Sequence, residues 1–124
     1  MIASLRGTIR AIRESWVLVE VGGVGYQVYV PGALLSELTH IGQPVELYTY
    51  THVRENELAL YGFRTFEELD LFTMLLKVSG IGPRTALSIL SAFSPETLRG
   101  VIAQGDALAL TRVPGIGRKT AQRL

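Results

Sequence analysis

A chain of 124 residues, 48% hydrophobic and 19% charged, can bury a core, which excludes an intrinsically disordered chain and suits one domain or two small ones. The absence of cysteine excludes disulfide staples and thiolate-bound metal and fits a reducing cytoplasm. The net charge of +1 hides an asymmetry: residues 1–63 hold four bases and six acids, residues 64–124 eight bases and five acids. An anionic partner would therefore belong to the second half. No apolar run approaches the roughly 18 residues of a membrane span, and Met1–Arg6 does not have the shape of a signal peptide, so a cytoplasmic protein without membrane contact is expected.

Residues 1–63 read as strands. Ser15–Val21 is rich in β-branched and aromatic residues, Gly22-Gly23 supplies a hairpin turn, and Val24–Val30 continues with Tyr26, Val28 and Val30 on one face. Pro31-Gly32 breaks the pattern, and Ala33–Leu38 fits a short helix. After Gly42-Gln43-Pro44, a strand alternates Val45, Leu47, Thr49, Thr51 and Val53 against Glu46, Tyr48, Tyr50, His52 and Arg54. A turn at Glu55-Asn56 leads to a last strand, Leu58–Phe63. Five short strands with a helix between the third and fourth predict an oligonucleotide/oligosaccharide-binding (OB) barrel.

At residue 64 the hydrophobic period changes from that of strands to that of helices, so the chain divides into domains 1–63 and 64–124. Thr65 and Glu68 have capping-box spacing, and Leu69, Phe72, Leu75 and Leu76 form the stripe of a helix ending near Val78. A helix from Pro83 to about Ser91 follows, then one that starts at Ser94-Pro95 and ends by Gly105. Asp106 caps a short helix through Arg112, and a last helix starts at Arg118. Because that helix stops in its second turn, the chain reads as a fragment whose natural end lies further on.

Two of the turns between these helices are copies. Val78-Ser79-Gly80-Ile81-Gly82-Pro83-Arg84-Thr85-Ala86-Leu87 returns as Val113-Pro114-Gly115-Ile116-Gly117-Arg118-Lys119-Thr120-Ala121-Gln122, at an offset of 35. Each is a Gly-x-Gly turn between two helices. The first glycine permits positive φ, and the second lets another backbone approach. The following helix offers unpaired N–H groups and the positive end of its dipole, which together suit a phosphate. Arg84, Arg118 and Lys119 repel that same helix end, so an anion bound in front of them explains their presence. Recognition would be of backbone and not of sequence. The bland alternative is a pair of helix corners whose glycines only cap and pack. Dinucleotide binding is disfavoured by the missing third glycine and the missing strand, and a P-loop by Arg112 where its first glycine would stand.

These repeats look like helix-hairpin-helix DNA-binding motifs. Together with the barrel order, Met1-Ile2-Ala3-Ser4-Leu5-Arg6-Gly7, Val21-Gly22-Gly23-Val24-Gly25-Tyr26 and Leu60-Tyr61-Gly62-Phe63 make the whole chain resemble the RuvA family of Holliday-junction-binding subunits, which act in recombination and DNA repair. The resemblance implies a homotetramer, or two tetramers on one four-way junction. It implies the RuvB ATPase as partner, with the RuvC resolvase as a further candidate. It places DNA contacts at Ser79, Gly80, Gly82, Arg84, Thr85, Gly115, Gly117, Arg118, Lys119 and Thr120. It also implies an acidic pin on the turn before the last strand, where Glu55 matches, Asn56 departs from the family's second acid, and Glu57 follows. The family's third domain, which binds RuvB, has no counterpart here, so the chain is expected to bind junctions without recruiting the motor.

Other residues are less telling. Tyr48, Tyr50, His52 and Arg54 share a strand face, either as base-stacking residues or as cross-strand and subunit packing. His40 and His52 have no ligand spacing, so neither a metal nor any other cofactor is expected. Trp16 fits strand packing. No nucleophile–base or carboxylate pair suggests an enzyme. The enzymatic rival is a DNA glycosylase, whose hairpin also resembles residues 113–121 with a lysine at the place of Lys119, but which needs a downstream aspartate. A protein-interaction scaffold is the third class, and it predicts no DNA affinity.

Overall fold

The computed structural model describes residues 1–124 and divides into two compact units, Met1–Leu69 and Asp70–Leu124. The first is built from β1 (Ser4–Ile12), β2 (Trp16–Val21), β3 (Val24–Tyr29), α1 (Gly32–Leu35), β4 (Pro44–Arg54) and β5 (Glu57–Phe63). The strands close into a barrel in the order β1-β2-β3-β5-β4, with β4 pairing back on β1. Every pair is antiparallel except β3 with β5. This is the expected OB barrel order. Gly22 and Gly23 both have positive φ (58° and 88°), the requirement of a two-residue type I′ turn between the paired Val21 and Val24.

Alternation delivers Leu5, Ile9, Val17, Val19, Val28, Leu47 and Leu60 to the interior, and Val30, Leu34 and Leu38 complete the core. The α1 region differs from expectation. Its helix is a single turn, Gly32–Leu35, continued by tighter bonds from Glu37 N to Leu34 O and Leu38 N to Leu35 O. That path still buries Leu34 and Leu38, which is what the barrel core requires of the segment.

On β4, Leu47, Thr49 and Thr51 are buried as the alternation predicts, but Val53 is 67% exposed. Val53 pairs with Leu58, which is 69% exposed, near the tip of the β4–β5 hairpin. The buried threonines are satisfied by the N-terminal segment: the Thr49 and Thr51 hydroxyls donate to Ile2 O at 2.6 and 3.2 Å, and Thr49 N donates to Ala3 O at 2.9 Å. A polar pair in the barrel therefore anchors the chain start.

The helices are α2 (Phe66–Leu76), α3 (Pro83–Ala92), α4 (Pro95–Ala103), α5 (Ala107–Thr111) and α6 (Arg118–Arg123). Their starts follow the cap residues. Thr65 Oγ1 accepts from Glu68 N at 3.2 Å, Ser94 Oγ from Thr97 N at 3.2 Å, and Asp106 Oδ1 from Ala109 N at 3.1 Å. The core of the second unit gathers Leu71, Phe72, Leu75, Ile89, Leu90, Leu98 and Leu110 with residues of the two hairpins. Leu71 lies outside the stripe that the spacing predicts, and two residues of that stripe, Leu69 and Leu76, are only half-buried.

Candidate nucleic-acid interface

The two hairpins adopt the same backbone conformation bond for bond. In the first, Gly80 has φ +92°, Ile81 N donates to Val78 O at 3.1 Å, and Ala86 N donates to Gly82 O at 3.0 Å. In the second, Gly115 has φ +90°, Ile116 N donates to Val113 O at 3.1 Å, and Ala121 N donates to Gly117 O at 3.0 Å. The equivalence reaches further back than the ten matched residues. Lys77 N–Met74 O and Val78 N–Leu75 O reappear as Arg112 N–Ala109 O and Val113 N–Leu110 O. The sequence carried that extension too, since Leu75/Leu110 and Lys77/Arg112 also stand 35 apart.

The repeated residues divide by role. Ile81, Ile116, Val113, Ala86 and Ala121 are buried and hold the turns to the unit's core. Gly82 and Gly117 are the N-caps of α3 and α6, with extended backbone (φ −95° and −89°) and no side-chain cap on the helix N–H groups. A Cβ on either would meet nothing within 4 Å. Sequence reasoning assigned the close approach of another backbone to these second glycines. Within the chain no atom makes that approach, and the space stands open to an external group.

The close contact falls instead on the first glycines. A Cβ on Gly80 would lie 3.1 Å from Thr120 Oγ1, and one on Gly115 would lie 3.1 Å from Thr85 Oγ1. Each hairpin thus receives the threonine of the other motif. Thr85 and Thr120, expected to face DNA, are half-buried and turned towards the opposite turn. Arg123 adds a tie that sequence reasoning missed: its Nη1 donates to Ser79 O at 3.2 Å.

Arg84, Arg118 and Lys119 are exposed, as are Ser79, Gly80, Gly115 and Gly117. The electrostatic contrast with other helices is informative. Helices α2 and α4 carry acids in their first turns (Glu67, Glu68 and Glu96), as their dipoles favour. Helices α3 and α6 have none, and bases stand there instead. Two uncapped helix starts, each flanked by exposed cations and an open glycine, present the donors and field that a phosphate needs.

On the barrel, Glu55 and Asn56 form a two-residue turn closed by the Arg54–Glu57 pair, and all four residues are exposed. The aromatic face of β4 packs on its neighbours. Tyr50 stacks on His52 (6.3 Å), Tyr29 on Tyr61 (5.4 Å), and Tyr48 lies 4.0 Å from Phe66. Arg54 Nε donates to His52 Nε2 at 2.7 Å. Of the β4 rings, His52 reaches across strands, edge-on to Tyr61 at 6.5 Å, while the Tyr50–His52 and Arg54–His52 contacts run along β4 itself.

Comparison with known proteins follows the same division. Residues 1–62 match the model of the RuvA N-terminal domain, and residues 72–124 match that of a SAM-like helix-hairpin-helix tandem. The chain belongs to the RuvA family. It is 52% identical to the Holliday junction branch migration complex subunit RuvA of Symbiobacterium thermophilum, over the whole chain and 60% of that protein. The subunits of that name from Chloroflexus aggregans and Herpetosiphon aurantiacus are 47% and 49% identical, again over the whole chain and over 64% and 63% of their lengths. The chain therefore spans somewhat under two thirds of the curated RuvA relatives it matches. No helix is long and apolar enough to cross a membrane.

Proposed function

We propose that this RuvA-family chain binds the phosphate backbone of four-way junction DNA without regard to sequence, through its two helix-hairpin-helix motifs. The observation that carries the reading is the doubled turn: two uncapped helix starts of identical geometry, each with exposed bases where helix dipoles disfavour them. The relatives' name, which places them in a Holliday junction branch migration complex, supports the four-way junction as substrate. A RuvB motor is the partner the family resemblance implies, through a domain outside these 124 residues. The binding role is non-enzymatic.

Four copies around a junction would present eight hairpins, two to each arm, and a second tetramer or the RuvC resolvase would meet the exposed face of the DNA. Ser79, Gly80, Gly82 and Arg84 with Gly115, Gly117, Arg118 and Lys119 form the grips. The turn of Glu55, Asn56 and Glu57 acts as an electrostatic divider, since negative charge near converging phosphates steers strands apart. Asn56→Asp adds a charge there and should sharpen strand separation at the crossover.

Fluorescence anisotropy of a labelled immobile junction against a linear duplex of the same arm sequence tests the proposal. Tighter binding of the junction is the expected result. Equal affinity for both would remove the junction and leave generic backbone binding.

A further inference from the structure

We propose that Thr85 and Thr120 are positioning residues which fix the separation of the two phosphate grips, and that neither contacts DNA itself. The inference rests on the DNA-binding reading of the hairpins and adds to it the element that sets their spacing. Each threonine occupies the space beside the other motif's positive-φ glycine, with the hydroxyl oxygen 3.1 Å and the γ-methyl 3.7 to 3.8 Å from where a Cβ would stand. The contact is reciprocal, and it joins the two repeats through their own matched residues.

Threonine suits a spacer because β-branching stiffens χ1 and places both γ atoms against the facing turn. A glycine at the contact lets the spacer reach the backbone, so the backbone carrying one phosphate site is pressed directly by the helix carrying the other. Arg123 reinforces one side of the lock through Ser79 O. Two linked sites gain avidity only when their spacing matches that of the two ligand groups. A rigid spacer removes the cost of ordering them at each encounter.

The experiment separates shape from hydroxyl. Thr85→Val with Thr120→Val keeps both γ positions and removes the oxygen. Thr85→Ser with Thr120→Ser keeps the oxygen and removes the methyl, and a double Ala variant removes both. Junction affinity is measured alongside interference by single neutral methylphosphonates placed along one arm. The wild type should show two interfering clusters at a fixed separation. The Val pair should keep that pattern and bind within about twofold, whereas the Ala pair should lose about tenfold or more and blur the separation. The Ser pair should fall between them.

A Ser pair that binds like wild type while the Val pair fails would mean that the hydroxyls touch DNA, and would overturn the proposal. So would an Ala pair with unaltered affinity and interference. If the Ala pair does not fold, the order of Val and Ser still decides the matter. Should the wild type bind no DNA, the DNA reading fails separately, and the spacer is then read without DNA. Because the chain has no cysteine, Ser79→Cys with Pro114→Cys gives two clean spin-label sites at equivalent positions of the turns. Their distance distribution should broaden with Ala and stay narrow with Val; an unchanged distribution for Ala would overturn the spacer itself.

Discussion

Gly80 and Gly82 stand two residues apart and differ in what an added methyl group would do. Gly80 and its counterpart Gly115 combine positive φ with a neighbour already at 3.1 Å. Gly80→Ala or Gly115→Ala should therefore cost about 1–3 kcal/mol of stability, read as a lower melting midpoint. Gly82 and Gly117 have ordinary extended backbone and open space. Gly82→Ala or Gly117→Ala should cost only about 0.5–1 kcal/mol as a poorer N-cap, yet weaken DNA binding, because the methyl stands where a phosphate would approach. Loss of stability without loss of binding in the second pair would contradict that division. The repeat made all four glycines visible in the sequence. What each is for was not visible, because the threonine pressing on Gly80 lies forty residues away and only the packed unit brings it there.

Among the elements, the helix starts were the most legible, since capping is settled within four residues of chain. Thr65, Ser94 and Asp106 all cap as their spacing predicts. Asp106→Ala should cost about 1 kcal/mol and speed amide exchange in α5, the helix that leads into the second hairpin. If α5 amides exchange as before, the cap does not hold that helix. The less legible features depend on distant partners. Alternation put Val53 on the inward face of β4, correctly as to face, but its exposure depends on the neighbours around it. Alternation placed Thr49 and Thr51 on the inward face, but not their hydrogen-bond partners, which Ile2 and Ala3 supply from the far end of the chain. Thr49→Val should accordingly cost about 0.5–1.5 kcal/mol, because it removes the shorter of two hydrogen bonds to the Ile2 carbonyl while Thr51 still donates to it.

For the whole molecule, the division of charge matches the division of structure. The barrel half holds the acidic excess and the exposed Glu55 turn, and the helical half holds the basic excess and both hairpins. On the proposed function, attraction of DNA would fall to the helical unit and repulsion to the barrel unit, and a symmetric assembly would multiply both. Light scattering should give the mass of four chains of 13.6 kDa, or of eight with junction bound, and a monomer at micromolar concentration would contradict the tetramer.

If the hairpins hold phosphates, junction binding must depend on salt through their bases. The most direct measurement is the salt dependence of junction binding by the wild type and by a variant carrying Arg118→Ala and Lys119→Ala. The slope of log K against log salt should become shallower by about two for each chain engaged, at every junction sequence tried. An unchanged slope would place the phosphate contacts elsewhere, away from Arg118 and Lys119.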